Sequence, residues 1–268
     1  IVTHMRECMQ NIACSEPDDD LSEHFPSLKS GSNEVLTLTA GQQKTVVTET
    51  SKTWVNLHDD LHFLKDKKSF VWASERDGYK HLYLYSLQDG AVKQLTRGDW
   101  IVNHIESIDE KNRVLYFTAN GREPNEDPYY LHLYRVNFDG TGLKLLTTAN
   151  HDNQASMDDN MRYFINTYSR VNTAPVSLLQ DNTGRVIMPL EKTDMSGLFE
   201  AGYKFPEPFK VKADDGVTDI YGVMYKPFNF DPTKKYPIIE YVYPGPQTEA
   251  VNKSFGRSMD RMDRLAQL

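Results

Sequence analysis

A serine hydrolase carries its nucleophile on a strained strand-to-helix turn, usually Gly-x-Ser-x-Gly, followed in the chain by an acid and a histidine. The 268 residues contain no such pentapeptide. Ser254-Phe-Gly-Arg-Ser258 has the residue types in the wrong order, within a stretch whose spacing predicts a helix. His62, His81, His104, His132 and His151 fall in expected strands or turns, where the sequence shows no convergent partners for a metal ion or a general base. In the loop Asn56-Leu-His-Asp-Asp60, His58 and Asp59 are candidates to line a cavity as substrate contacts; the alternative is a polar inter-strand loop. Two cysteines, Cys8 and Cys14, allow either a local disulfide or a pair of thiols without a structural role, and they match no metal-ligand spacing. The sequence therefore implies neither a metal nor a cofactor.

The elements that would position these residues are strands. A strand-turn-strand phrase recurs four times: Glu34–Gly41 with Thr45–Thr48, Lys80–Tyr85 with Val92–Thr96, Leu131–Val136 with Leu143–Thr147, and a weaker copy in Pro175–Leu179 with Arg185–Leu190. Asp89-Gly90 and Asp139-Gly140 lie between alternating apolar runs, a hairpin signal because glycine tolerates the positive φ of the turn. Ahead of each of the last three hairpins stand further short strands, among them Leu61–Leu64 with Ser69–Ser74, Ile105–Ile108 with Val114–Thr118, and Arg162–Asn166. Four antiparallel strands per unit, repeated every roughly 40–50 residues, are the grammar of β-propeller blades. Trp72 and Trp100 recur at blade positions with Trp54 and are expected in the core. Glu75-Arg-Asp77 is expected to be a solvated or ion-paired turn.

Three domains follow. Residues 1–33 are an atypical, loop-rich segment; residues 34–196 are a partial β-propeller of about three and a half blades; and the chain changes character near Phe205. Three and a half blades do not close a ring of four to eight, so earlier blades are expected ahead of Ile1. Beyond the connector at 197–208, Phe209–Lys212, Gly222–Tyr225 and Ile238–Tyr243 are expected strands. Glu249–Leu268 has helical spacing, with Val251, Phe255, Met259, Met262 and Leu265 on one face. The fold class is mainly β. A net charge of −8 argues against nucleic acid as a partner, and no apolar run reaches the ~20 residues of a membrane span.

Three stretches resemble the dipeptidyl-peptidase IV branch of the prolyl oligopeptidase family, especially its bacterial members. They are Trp54–Leu61 running into Trp72–Tyr85, then Gln94-Leu-Thr-Arg-Gly-Asp-Trp100, and then a series from Asp215-Gly216 through Tyr221-Gly222, Lys226-Pro227 and Asn229–Pro232 to Val242-Tyr-Pro-Gly-Pro246. The resemblance covers residues 34–260. It implies the later blades of an eight-bladed β-propeller followed by the first strands and a helix of an α/β-hydrolase domain, with residues 205–268 as the start of the catalytic domain. It also implies a serine protease that releases N-terminal dipeptides ending in Pro or Ala. The catalytic triad and the glutamates that hold the substrate amine are then expected outside these residues, leaving the chain alone inactive. Peptide substrates, a homodimeric parent and a periplasmic or cell-surface location are implied in the same way.

One catalytic residue carries over. Tyr243 matches the tyrosine of the family's Val-Tyr-x-Gly-Pro motif, whose hydroxyl donates to the oxyanion of the tetrahedral intermediate. A phenol is neutral at pH 7 and still donates a hydrogen bond. Pro244 disfavours a helical Tyr243 and has no N–H of its own, so the side chain must supply the contact. The alternative is a strand-end tyrosine packed on the propeller. Two other readings stay open for the whole protein: a non-catalytic propeller that binds peptide or protein, and an acylaminoacyl-peptidase-like branch of the same family.

Overall fold

The structure, a computed structural model, describes residues 32–39, 42–52, 55–56, 59–242, 251–256 and 261–268. Cys8, Cys14, Trp54, His58 and Tyr243 lie outside the described residues, as does nearly all of the segment expected to be loop-rich. The described chain is mainly β. A hairpin of β1 (Ser32–Thr39) and β2 (Gln42–Thr50) comes first. Three four-stranded antiparallel sheets follow in chain order. The first is β3 (Leu61–Phe63), β4 (Ser69–Ser74), β5 (His81–Ser86) and β6 (Val92–Gln94). The second is β7 (Ile101–Asp109), β8 (Val114–Asn120), β9 (His132–Asn137) and β10 (Lys144–Leu145). The third is β11 (Asp152–Met157), β12 (Tyr163–Arg170), β13 (Thr173–Asp181) and β14 (Val186–Lys192). In every sheet each strand pairs with its neighbour in sequence, the meander of a propeller blade. A short helix α1 (Ser196–Glu200), the hairpin of β15 (Glu207–Lys212) and β16 (Asp219–Met224), and a four-residue helix α2 (Met262–Leu265) complete the described elements.

Local chemistry explains the hairpins. Gly90 and Gly140 have φ of 72° and 81°. The aspartate before each glycine caps the turn: Asp89 Oδ1 accepts from the Ala91 N–H at 3.1 Å and Asp139 Oδ1 from the Thr141 N–H at 2.9 Å. Gly184 has φ 85°, and a β-carbon there would lie 2.8 Å from the backbone oxygen of Leu146. That same oxygen accepts from Gln180 Nε2 at 3.1 Å. Gly184→Ala is therefore expected to cost about 1–3 kcal/mol in urea unfolding, from the left-handed φ and the displaced Gln180 contact together.

Two compact divisions are present, residues 1–122 with 135–144 and residues 123–134 with 145–268. In the first, Val47, Phe70, Trp72, Tyr83 and Tyr85 form a cluster, and Phe70 stacks on Tyr85 at 4.8 Å. The middle strand β8 is buried from Val114 to Ala119. Trp72 and Trp100 are both buried, as expected. Arg76 is ion-paired to Glu49 at 2.6 Å and lies over the Tyr83 ring at 4.4 Å, so the turn carrying it is tied rather than merely solvated. In the second division β14 is exposed along its whole length, with Val186, Ile187, Met188 and Leu190 all open to solvent. Pro189 fits this outer position, since proline cannot donate to a ladder.

Two expectations fail. Residues 238–242 are irregular rather than a strand, and Ile238 is 92% exposed. None of the described strands pairs with them, and an extended segment without a ladder partner leaves its N–H and C=O groups to water. The helix expected over 249–268 is reduced, among the described residues, to Met262–Leu265. Residues 251–256 are irregular, Gly256 is a poor helix former, and Arg261 sits at φ 59°, which breaks any continuous run. Leu265, expected on the apolar face, is 39% exposed.

Candidate functional site

Of the residues proposed from sequence, Asp59 alone lies within the described structure. It is exposed, and its carbonyl accepts from the Leu61 N–H at 2.8 Å. Its neighbour Asp60, which sequence reasoning passed over, is the buried member of the pair at 1% exposure. Asp60 Oδ2 lies 2.5 Å from Lys80 Nζ, and Oδ1 lies 3.2 Å from His104 Nδ1 and accepts from the Ile105 N–H at 3.1 Å. Burial opposes its charge, but the bond and charge of Lys80, the Ile105 N–H and the His104 charge together outweigh it and hold the carboxyl below the usual carboxylate range. On the adjoining strands, burial lowers the His62 imidazole and raises the Glu106 carboxyl. Asp60 thus fastens the chain just ahead of β3 to β7, the first strand of the next sheet. This arrangement is a structural tie without a nucleophile.

Two histidines of the repeated phrase make structural hydrogen bonds that sequence reasoning did not name. His81 Nδ1 lies 3.1 Å from Thr96 Oγ1, and the same hydroxyl accepts from the Leu82 N–H at 3.0 Å. His132 repeats this with Thr147, at 3.3 Å and 3.1 Å. In each copy Nε2 faces a group that only accepts, which leaves Nδ1 unprotonated to accept from the threonine hydroxyl, with Asn153 Nδ2 also 3.1 Å from it at His132. The imidazole is then the Nε2–H tautomer, donating from Nε2 to the Gly98 carbonyl (2.8 Å) in the first copy and to Glu126 Oε2 (3.0 Å) in the second. Both rings are buried, so these are structural ties rather than ligands or bases. The signal was available: in both copies a threonine follows the histidine by 15 residues.

Burial lowers the pKa of His62, His81 and His132 from the ordinary 6.5. The unfolded chain then binds protons that the folded chain does not, so stability falls as pH drops below about 6.5. Urea unfolding between pH 7 and pH 5 should show this loss. His132→Gln should flatten the slope, by at most about 1.4 kcal/mol per pH unit for its one proton.

The second division holds a cavity of about 480 Å³, whose walls include Asn125, Asp127, Tyr130, Lys210, Tyr221 and Lys253. One wall is the long excursion between β8 and β9. It is fixed by Glu123 accepting from the Tyr134 hydroxyl at 2.9 Å, by the Glu126–His132 bond, and by Asp127 paired with Lys253 at 2.8 Å. Tyr130, largely buried there, has its phenol pushed up to about 12 by burial first and by the Asp127 charge second. The cavity offers both signs of charge and aromatic faces, suited to a polar group with an apolar stem. Among the described residues no three His, Cys, Asp or Glu side chains converge as metal ligands, and no described helix is long and apolar enough to cross a membrane.

The family model described as "Dipeptidyl peptidase IV (DPP IV) N-terminal region" matches residues 30–175, over half of the chain. The chain belongs to the dipeptidyl peptidase IV family. Its blades are those of this family's N-terminal propeller-like region. Mouse dipeptidyl peptidase 8 is 29% identical to it over 260 residues, covering 82% of the chain and 29% of the mouse protein. A solved Bacteroides ovatus protein, named as a dipeptidyl aminopeptidase IV, superposes with a TM-score of 0.73 at 26% identity, covering 89% of the chain and 36% of that protein. Porphyromonas gingivalis dipeptidyl peptidase 4 shares the fold, with a TM-score of 0.70 at 23% identity, covering 85% of the chain and 32% of that protein. The chain therefore spans about a third of the length of the proteins it matches.

Proposed function

We propose that this chain is part of a serine-type exopeptidase that releases N-terminal Xaa-Pro or Xaa-Ala dipeptides from peptides. The carrying observation is that the similarity to dipeptidyl peptidases does not stop with the family model at residue 175. It extends over 82% of the chain in one relative and 94% in another, and so into the non-repeating segment after Phe205. A propeller serving only as a binding scaffold has no need of that segment. In this reading residues 34–196 are later blades that restrict entry to the site and residues 205–268 begin the hydrolase domain. The serine, acid and histidine are contributed from outside these 268 residues. Tyr243 supplies a hydrogen bond to the oxyanion, and His58 and Asp59 face the substrate.

The parent is further proposed to be a homodimer in the periplasm or at the cell surface, which fractionation and sedimentation of the native protein would check. The decisive experiment is an assay of the full-length gene product. Gly-Pro and Ala-Ala p-nitroanilides are expected to be cleaved in a way that a fluorophosphonate abolishes. Preference for N-acetylated substrates would move the protein to the acylaminoacyl branch, and no hydrolysis of either class would favour the binding scaffold.

A further inference from the structure

Lys253 ends in a box made by residues far from it in sequence. Its Nζ lies 2.8 Å from Asp127 Oδ2, 4.6 Å from the centroid of the Tyr129 ring and 5.0 Å from that of Tyr221. The two rings stand nearly at right angles, 5.7 Å apart and inclined by 78°. The Lys253 and Asp127 side chains are only 11% and 17% exposed, whereas Tyr129, 45% exposed, forms the open wall of the box. A carboxylate with two aromatic faces around one point is a receptor for a compact cation. Ring quadrupoles attract the charge and the carboxylate takes one N–H, and both effects strengthen as water is excluded. The segment bearing Lys253 is held a second time nearby, where the Phe255 N–H donates to Ser169 Oγ at 3.0 Å and the Phe255 ring meets Phe205 at 6.0 Å.

We propose that Asp127, Tyr129 and Tyr221 form a binding site for primary alkylammonium groups, which Lys253 fills in cis. The plug fastens residues 251–256 to the excursion between β8 and β9. Three elements make the site: the excursion, β16 and the segment that inserts the lysine. Because the lysine is tethered, its effective concentration at the box is in the millimolar range or above, so free amines compete poorly while it is in place. Once it is removed, the box accepts an amine from solution.

The probe is n-propylammonium chloride, titrated against the whole chain with sodium chloride at equal ionic strength as reference. In Lys253→Ala the amine is expected to raise Tm saturably by about 2–4 °C at concentrations well above its Kd. Wild type and the double variant Lys253→Ala with Asp127→Asn are expected not to respond. No rise in Lys253→Ala, or an equal rise in the double variant, overturns the site. A second measurement uses folded wild type and does not depend on the variant's folding. Acetic anhydride labelling read by mass spectrometry should modify Lys253 more slowly than Lys234, whose side chain is 70% exposed. Asp127→Asn should remove much of that protection. Equal rates at the two lysines in wild type, or protection unchanged in Asp127→Asn, would refute the plug.

Discussion

Tyr243→Phe in the full-length protein is expected, on the proposed function, to lower kcat on Gly-Pro p-nitroanilide by about 10²–10³-fold while KM changes little. The argument is differential. A carbonyl oxygen in the bound substrate carries partial charge, whereas the tetrahedral intermediate carries a full one, so a donor aimed at the oxyanion strengthens only as the barrier is climbed. A phenol is suited to this because it donates while remaining neutral at working pH. The following Pro244 cannot contribute a backbone N–H, so in the proposed function the hydroxyl is the donor. Phenylalanine keeps the ring and its packing and removes only the donor. A tyrosine that merely packs would show the opposite pattern, with kcat intact and Tm unaffected by loss of the hydroxyl.

Asp60→Ala is expected to destabilise the chain by about 3–5 kcal/mol, the cost of leaving a buried cation without its counter-charge. Lys80 is the reason: its side chain is 14% exposed and its ammonium lies 2.5 Å from the Asp60 carboxylate. The Ile105 N–H would also lose its acceptor. Asp60→Asn should cost less, because an amide oxygen can still accept from Ile105. Lys80→Met combined with Asp60→Asn should recover much of the loss, since replacing a whole buried pair is far milder than breaking one. The pH dependence has a definite sign. The Asp60 pKa is below 3.8 in the folded chain, so its contribution is complete above the unfolded pKa and disappears as pH falls through the folded value. The gap between wild type and Asp60→Asn should hold from pH 7 to about pH 5 and close only in stronger acid. Urea midpoints across that range measure it.

The contrast between these two residues shows where sequence reading reached and where it stopped. Hairpins were legible because their determinants are local: Asp89-Gly90 and Asp139-Gly140 carry both the capping oxygen and the permissive φ within two residues. Burial of Trp72 and Trp100 was legible from apolar alternation and recurrence. Residues 238–242 misled because four apolar or aromatic positions, Ile238, Ile239, Tyr241 and Val242, read as a strand whatever lies beside them, whereas a strand exists only with a partner. The expected helix at 249–268 misled in the same way, since periodicity records a face and not a continuous backbone. Asp60 was overlooked in favour of His58 and Asp59 because its partners Lys80 and His104 are distant in sequence and ordinary in type. The lysine box was invisible for the same reason: Lys253 and Asp127 are separated by 126 positions.

The paired histidine–threonine ties bear on how such blades can be exchanged. Within each copy the threonine contact is made by the hairpin itself, His81 with Thr96 and His132 with Thr147, so it travels wherever the hairpin goes. The far side of the ring does not. One copy ends on the carbonyl of Gly98 just after its own hairpin, the other on the carboxylate of Glu126 in a loop ahead of it. A transplant of the first hairpin is therefore self-contained if it takes residues 81–98. A transplant of the second carries a buried N–H with no acceptor unless the cut falls upstream of Glu126. Recombination among blades, in a laboratory or in a genome, has a reading frame set by hydrogen bonds, and its permitted joints differ between neighbours of the same shape.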